Sequence, residues 1–554
     1  MLANLDDPFY YLENFQAVLD WVSGRYADLL AADERQFIDT FASLPKTSRA
    51  LYVRMVMRKG NIFRASKLNY AEIGDTRAAM QVLLQTGWVV ADPILDLAAL
   101  FDLLQKPELT VALNMTAAEK KLPKAGQLAA LAPQHAICQP FSAWYADTDD
   151  MAYTILNKDL CDHLRLIFFG NLHQDWSEFV LSDLGIFQYE KVEFSVASRG
   201  FSCRADIDDY LALHACRVAF DEGKAIPEVL ALLEQSNTSN SWLASRRHRF
   251  LFQIGEHLEK QKDWALARQV YAACTYPGAR LRHIRVLEKS GESKAALSLL
   301  QLAQQMPENE AELQQILRIA PRLNRKLGLA KPALVSPAPV TEFNLQLPYP
   351  EEDYVVEYVV RDHLHKTVAP VFYVENALIN SLFGLLCWSA IFKAIPGAFF
   401  HPFHRGPADL LAADFQARRA NDFIVCLAQL DSDAYQQTIR QNYADKYGLQ
   451  SPFVFWDTIS TELLDIALSC IPPAHLRCSF ERILQDIKAN RNGFPDLIQF
   501  WPQERRYQMI EVKGPGDRLQ DNQKRWLDFC ATHQMPVSVC YLSWQDETTI
   551  QGSA

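Results

Sequence analysis

The chain has 554 residues, a hydrophobic fraction of 49%, a charged fraction of 22% and a formal net charge of −11, proportions of ordinary folded protein in three or four domains. The acidic balance argues against wholesale coating of nucleic acid but leaves room for a local basic surface, which is what phosphate binding requires. Eleven cysteines without a C-x-x-C pair point to reduced thiols in a cytoplasm and away from a disulfide framework or zinc site.

The first residues, MLANLDDPFYYLENF, are acidic where a secretory signal needs a basic segment followed by an apolar one, so no export signal is expected. Apolar residues at helical spacing through FQAVLDWVSGRYADLL and RQFIDTFASL predict two helices. A basic segment follows at 46–67. It holds Lys46, Arg49, Arg54, Arg58, Lys59, Arg64 and Lys67 and no acidic residue. In a helix here Arg54 and Arg58 share a face, Leu51, Met55 and Ile62 turn inward, and Gly60-Asn61 breaks the helix. A short helix with exposed basic residues is how helix-turn-helix relatives meet a phosphate backbone. Arg54, Arg58, Lys59, Arg64 and Lys67 are therefore candidate DNA contacts, against the alternative of a solvated helix face.

Residues 68–135 alternate short helices and turns, as in TRAAMQVLLQTGWV and LAALFDLLQKPELTVAL. From 208 to 325 the chain reads as helical. Ala267, Tyr271 and Cys274 are echoed by Ala296, Leu300 and Ala303, 29 residues on, which suggests tetratricopeptide-like packing at a short period. Five prolines in 331–350, KPALVSPAPVTEFNLQLPYP, mark a linker. The most apolar stretch, 381–400, contains Lys393 and Pro396 and reads as a buried helix and turn, not a membrane span.

The stretch FPDLIQFWPQERRYQMIEVKG reads as two strands and a turn. Period-two geometry puts Glu511 and Lys513 on one face of the second strand, with Ile510 and Val512 on the other. A two-residue loop at Gln503-Glu504 makes partner numbers sum to 1007, which sets Asp496 across from Glu511. Facing carboxylates repel unless neutralised, and a divalent cation held by oxygen ligands, Mg²⁺ or Mn²⁺, would neutralise them. Lys513 could then orient or help deprotonate water, which is phosphodiester hydrolysis chemistry. On spacing alone the motif is weak, and an edge hairpin with a solvated Glu–Lys face is the alternative.

NRNGFPDL followed by IEVKGPGDRLQDNQKRW resembles the virus-type replication-repair nuclease domain of the PD-(D/E)XK superfamily. VENALINSLFGLLCWSAIF, IPGAFFHPF and RKGNIFRASKLNYAEIGD resemble the Fanconi-associated nuclease family, with SAP-like and tetratricopeptide-like parts between. The resemblance implies a mainly α, multidomain protein. Its parts are a helix-turn-helix-like region (1–67), a SAP-like region (68–207), tetratricopeptide-like helices (208–330), a linker (331–350) and an α/β PD-(D/E)XK nuclease domain (351–554). It implies a structure-selective DNA repair nuclease of the interstrand-crosslink type, incising near 5′ flaps with 5′-to-3′ exonuclease activity and Mg²⁺ or Mn²⁺.

On matching positions, Asp496, Glu511 and Lys513 form the catalytic set, the Val512 carbonyl faces the metal, Glu375 is a further acid ligand, and Gln523 supports the site. In a helix through VENALINSLFGLL, Glu375 would share a face with Leu378, Ile379 and Leu382, a costly place for an unpaired acid; a first-turn Glu stabilised by the helix dipole is the alternative. The family's grip on a 5′-terminal phosphate makes Arg280, Arg285 and Lys488 candidates, beside the usual reading of exposed helix charges. His401-x-x-His404 and His363-x-His365 lack a legible third ligand, and no ubiquitin-binding zinc finger is legible. The expected partner is branched or 5′-flap DNA without membrane, in a cytoplasm and at the nucleoid of a bacterium. The rivals are a Holliday-junction or RNA endonuclease with the same core, and a non-catalytic helical-repeat scaffold.

Overall fold

A computed structural model describes residues 7–174, 187–236, 238–331, 339–350 and 355–545. They divide into two compact units, Met1–Gln188 with Phe201–Ile207, and Tyr189–Gly200 with Asp208–Ala554.

In the first unit the predicted helices span Tyr10–Tyr26 and Ala32–Ser43, and the basic segment supplies a third, Lys46–Val56. Phe15, Val18, Leu19 and Val22 recur at helical spacing and are buried, as are Leu51 and Met55. Five short strands follow: β1 (Ile62–Arg64), β2 (Val89–Ala91), β3 (Ile94–Leu95), β4 (Gln139–Pro140) and β5 (Ala152–Ile155). β5 pairs antiparallel with both β1 and β2, and β3 with β4. The larger sheet thus joins segments on both sides of residue 67.

In the second unit the helices Ser241–Gln261, Trp264–Ala272, Ala279–Lys289, Ser293–Gln305 and Glu310–Lys326 pack each on the next. Asn240, Asp263 and Asn309 cap three of them through side-chain oxygens, as their short polar side chains favour. All six repeat residues, Ala267, Tyr271, Cys274, Ala296, Leu300 and Ala303, are buried. Gly255 lets two helices meet: a Cβ there would lie 2.6 Å from the Tyr271 ring.

The same unit carries a five-stranded mixed sheet. Its strands are β6 (Thr341–Leu347), β7 (Val371–Tyr373), β8 (Leu497–Trp501), β9 (Arg506–Lys513) and β10 (Val537–Trp544), in the order β6-β10-β9-β8-β7. β7, β8 and β9 run antiparallel, and β10 lies parallel to β9 and β6. The helix Asp521–Thr532 makes the crossover that parallel β9 and β10 need. One face buries Leu497, Ile510, Val512 and Cys540 with Val360 of the helix Val356–Leu364. The other buries Ile498, Phe500, Met509 and Val539 against the helices Leu378–Leu386, Pro473–Gln485 and Asp521–Thr532.

One expectation is corrected. β6 lies inside the proline-rich 331–350, so that stretch is not wholly linker; 332–338 lie outside the described residues. Its proline-free TEFNLQL alternates polar and apolar residues, a strand signal that the flanking prolines obscured. The 381–400 stretch forms short pieces, ending Leu378–Leu386 and then Trp388–Ile391, and no helix among the described residues is long and apolar enough to cross a membrane.

Candidate active site

The β8–β9 register pairs Leu497 with Ile510 and Trp501 with Arg506, so partner numbers sum to 1007 as expected. The connection differs. Residues 502–505 form it, a 3₁₀ turn Pro502–Glu504 closed by Arg505 in the left-handed region at φ 49°. The ladder therefore closes one pair short of the expected two-residue loop, without changing the sum.

Asp496 immediately precedes β8. Its Oδ2 accepts the Val512 backbone N–H at 2.8 Å, and its carbonyl accepts that of Val374 at 2.8 Å. Glu511 is fully buried on β9. Lys513 Nζ donates to Glu511 Oε1 at 2.5 Å and to the Val512 carbonyl at 2.9 Å. Glu511 Oε2 is buried without a hydrogen-bond partner. Burial pushes the Glu511 carboxyl well above its ordinary range, the Asp496 charge adds to this, and Lys513 opposes it. Burial likewise raises Asp496, against the Val512 N–H and Lys513, while Glu357 and Glu375 add to the rise.

An orphaned carboxylate oxygen beside a second buried carboxylate is costly unless a cation is shared between them. All donors are oxygens, the set that suits a hard divalent cation. These residues fit a divalent metal.

The loop ahead of Asp496 is held from several sides. Phe494 packs on Trp526 with ring centroids 3.8 Å apart, and Trp526 Nε1 donates to the Asn490 carbonyl. Gly493, at φ 97°, donates its N–H to Asn376 Oδ1 at 2.7 Å, and a Cβ there would meet the Asn522 backbone at 2.8 Å.

Glu375 is not in a helix. It stands in the turn between β7 and the helix Leu378–Leu386 and is exposed, so the apolar-face expectation fails. Its Oε2 accepts from the Tyr373 hydroxyl at 2.6 Å and its Oε1 from Asn376 Nδ2 at 3.2 Å. Among the described residues no three His, Cys, Asp or Glu side chains are gathered closely enough to enclose a metal ion. Asp496 and Glu511 converge, and Glu375 stands at the rim. Sequence reasoning missed Glu357, in the first turn of the helix Val356–Leu364, and Tyr373; neither matches a motif, and the fold alone brings them to Asp496. Gln523 Oε1 accepts the Gln520 N–H and so caps the helix Asp521–Thr532. His401 is buried and His404 partly so, with ring nitrogens accepting the N–H groups of Phe403 and Phe400.

The basic candidates separate. Arg64 is buried between Glu108 (2.6 Å) and Asp150 (2.7 Å), and it offers no face to a phosphate. Arg54 pairs with Glu72 at 2.7 Å and stacks 3.8 Å over the Tyr11 ring, and Arg280 pairs with nearly buried Glu312 at 2.6 Å. Each of the three is engaged by a carboxylate. Arg58, Lys59, Lys67 and Lys488 are exposed, and Arg285, paired with Glu259 at 3.3 Å, is half exposed. Arg491, partly buried near Arg405, has no carboxylate partner among the described residues. Its position in NRNGFPDL was visible in the sequence, its lack of a counter-ion was not.

Three family profiles match the chain: "FAN1, HTH domain" over residues 9–90, "Fanconi anemia-associated nuclease SAP domain" over 94–144, and "VRR-NUC domain" over 430–544. The last contains Asp496, Glu511 and Lys513 but not Glu375. The Fanconi-associated nuclease 1 homolog of Pseudomonas aeruginosa is 54% identical over 540 residues, 98% of this chain and 97% of that one. The Arabidopsis thaliana homolog is 24% identical and human Fanconi-associated nuclease 1 is 22% identical; each match covers 96% of this chain, and 66% and 62% of the relative. Crystal structures of paFAN1 bound to 2nt and 1nt 5′-flap DNA with gap superpose with TM-scores of 0.90 and 0.89 at 54% identity, covering 98% of this chain and all of theirs. The chain belongs to the Fanconi-associated nuclease 1 family and carries its VRR-NUC nuclease domain.

Proposed function

We propose that this nuclease incises DNA near 5′ flaps and degrades it 5′-to-3′, in a cytoplasm and in interstrand-crosslink repair, with Mg²⁺ or Mn²⁺. The carrying observation is the buried pair Asp496 and Glu511, with the orphaned Glu511 Oε2 and with Lys513 at 2.5 Å from Oε1. The 5′-flap ligands of the paFAN1 crystal structures support the substrate class.

Asp496 and Glu511 would hold the cation, with the Val512 carbonyl and Glu375 as further oxygen ligands. When bound, the cation neutralises charge on the scissile phosphate and lowers the pKa of a bound water. The protein's own part is placement. Asp496 is locked to β9 by the Val512 N–H, and Lys513 is aimed along the same face by Glu511 and the Val512 carbonyl, where its ammonium orients water. Gln523 supports the site indirectly by fixing the start of the helix after the catalytic strand.

Arg58, Lys59, Lys67, Arg285 and Lys488 are exposed cations suited to phosphate contacts that position DNA without reading sequence. Arg491 joins them as a cation without a carboxylate partner among the described residues.

A substrate panel with Mn²⁺ tests this reading. Incision of 5′-flap duplex in preference to Holliday junction and RNA hairpin is expected. Paired symmetric cuts in the junction, or preferential RNA cleavage, would replace the 5′-flap assignment. Binding without metal-dependent turnover on any substrate would favour the scaffold reading.

A further inference from the structure

Glu375 is an exposed carboxylate beside two buried ones, and the charges of all three repel. A free side chain in that field swings toward solvent. Here the Tyr373 hydroxyl donates to Oε2 at 2.6 Å, a charge-assisted bond that opposes this movement. Tyr373 is itself fixed. Its backbone lies opposite Leu497, next to Asp496, and its ring meets the Tyr358 ring edge-on at 5.2 Å and 87°. Tyr358 belongs to the helix Val356–Leu364, so a second element braces the hydroxyl. Asn376 completes the hold. At φ 52° it donates to Glu375 Oε1, while its Oδ1 accepts from the Gly493 and Phe494 N–H groups just ahead of Asp496.

We propose that Tyr373 is a positioning residue for Glu375: its hydroxyl retains the carboxylate beside Asp496 and Glu511 so that it joins them in binding a divalent cation. This rests on the reading of Glu375 as a metal ligand. A carboxylate oxygen has lone pairs enough to accept the phenol and still bind a cation. Partners that orient ligands in this way are worth about 10–100-fold in metal affinity.

The test is calorimetric titration of Mn²⁺ into the full-length protein and its Tyr373→Phe, Glu375→Gln and double variants. Phenylalanine keeps the ring against Tyr358, and unchanged thermal melting without metal is expected. Tyr373→Phe should weaken Mn²⁺ binding about tenfold or more, and the double variant should bind no more weakly than Glu375→Gln alone. Raising Mn²⁺ should restore the kcat of Tyr373→Phe. Unchanged affinity in Tyr373→Phe, with weakened affinity in Glu375→Gln, would overturn the inference alone. So would additive effects in the double variant, which mean that Tyr373 acts through packing. Unchanged affinity in Glu375→Gln would overturn this inference and the ligand role of Glu375 together.

Discussion

The Asp496 carboxylate accepts the backbone N–H of Val512 at 2.8 Å, just beyond the last β8–β9 ladder pair, Leu497 with Ile510. The bond sets the acid against the strand that presents Glu511 and Lys513, so the pairing of the two acids depends on backbone geometry as well as on side chains. Asp496→Asn can keep an acceptor there but removes the charge. Cleavage should fall by at least about 10²-fold, as when a preorganised electrostatic group is removed, while 5′-flap binding stays within about twofold by fluorescence anisotropy, since phosphate contacts carry affinity.

The two carboxyls also make stability depend on pH in an unusual direction. Burial raises both in the folded chain, so the folded state keeps its protons to higher pH than the unfolded state. Stability from this pair is then greatest at low pH and declines as pH rises from about 4, the unfolded carboxylate range, through the raised folded values. Without metal, Glu511→Gln should flatten this pH dependence and raise Tm at pH 8. Mn²⁺ should raise the Tm of the natural protein, and much less that of the variant. A metal-independent Tm at pH 8 would contradict the shared-cation account.

Arg64 and the exposed lysines should separate cleanly. Arg64→Ala strands Asp150 and Glu108 and should cost about 3 kcal/mol in denaturant unfolding. Lys59→Ala with Lys67→Ala should leave stability within about 0.5 kcal/mol but weaken DNA binding. The slope of log affinity against log salt should become shallower by roughly one for each phosphate no longer neutralised. A salt slope unchanged in the double lysine variant would remove this surface from the DNA interface.

Gly493 tests the loop ahead of Asp496. Its φ of 97° and the backbone 2.8 Å from any Cβ leave no room for a side chain. Gly493→Ala should lower Tm and reduce Mn²⁺ affinity measured by calorimetry, because the Asn376 and Asp496 contacts on either side of it shift together. Wild-type metal affinity in that variant would show that the loop does not position the site.

The β8–β9 hairpin was legible because its information is local. Period-two alternation puts Glu511 and Lys513 together, and the register survives the four-residue connection because Arg505 adopts a left-handed turn that sequence rules did not assign. Glu375 was legible as an acid near an apolar run and from the family resemblance, but not its exposed place in a turn, where Asn376 binds a loop more than a hundred residues away. The carboxylate partners of Arg64 and Arg280 were illegible for the same reason, since Glu108, Asp150 and Glu312 are remote in sequence. β10, whose parallel pairing completes the sheet beside β9, depends on a crossover that no local pattern announces.

The central claim is that Asp496, Glu511 and Lys513 form a metal-dependent hydrolytic site. It is tested most directly by incubating end-labelled 5′-flap duplex with the natural protein and with Glu511→Ala, with and without Mn²⁺, and measuring binding in parallel. The account predicts Mn²⁺-dependent incision by the natural protein alone and comparable binding by both. Incision retained in Glu511→Ala, or binding and cleavage abolished in equal measure, would contradict it.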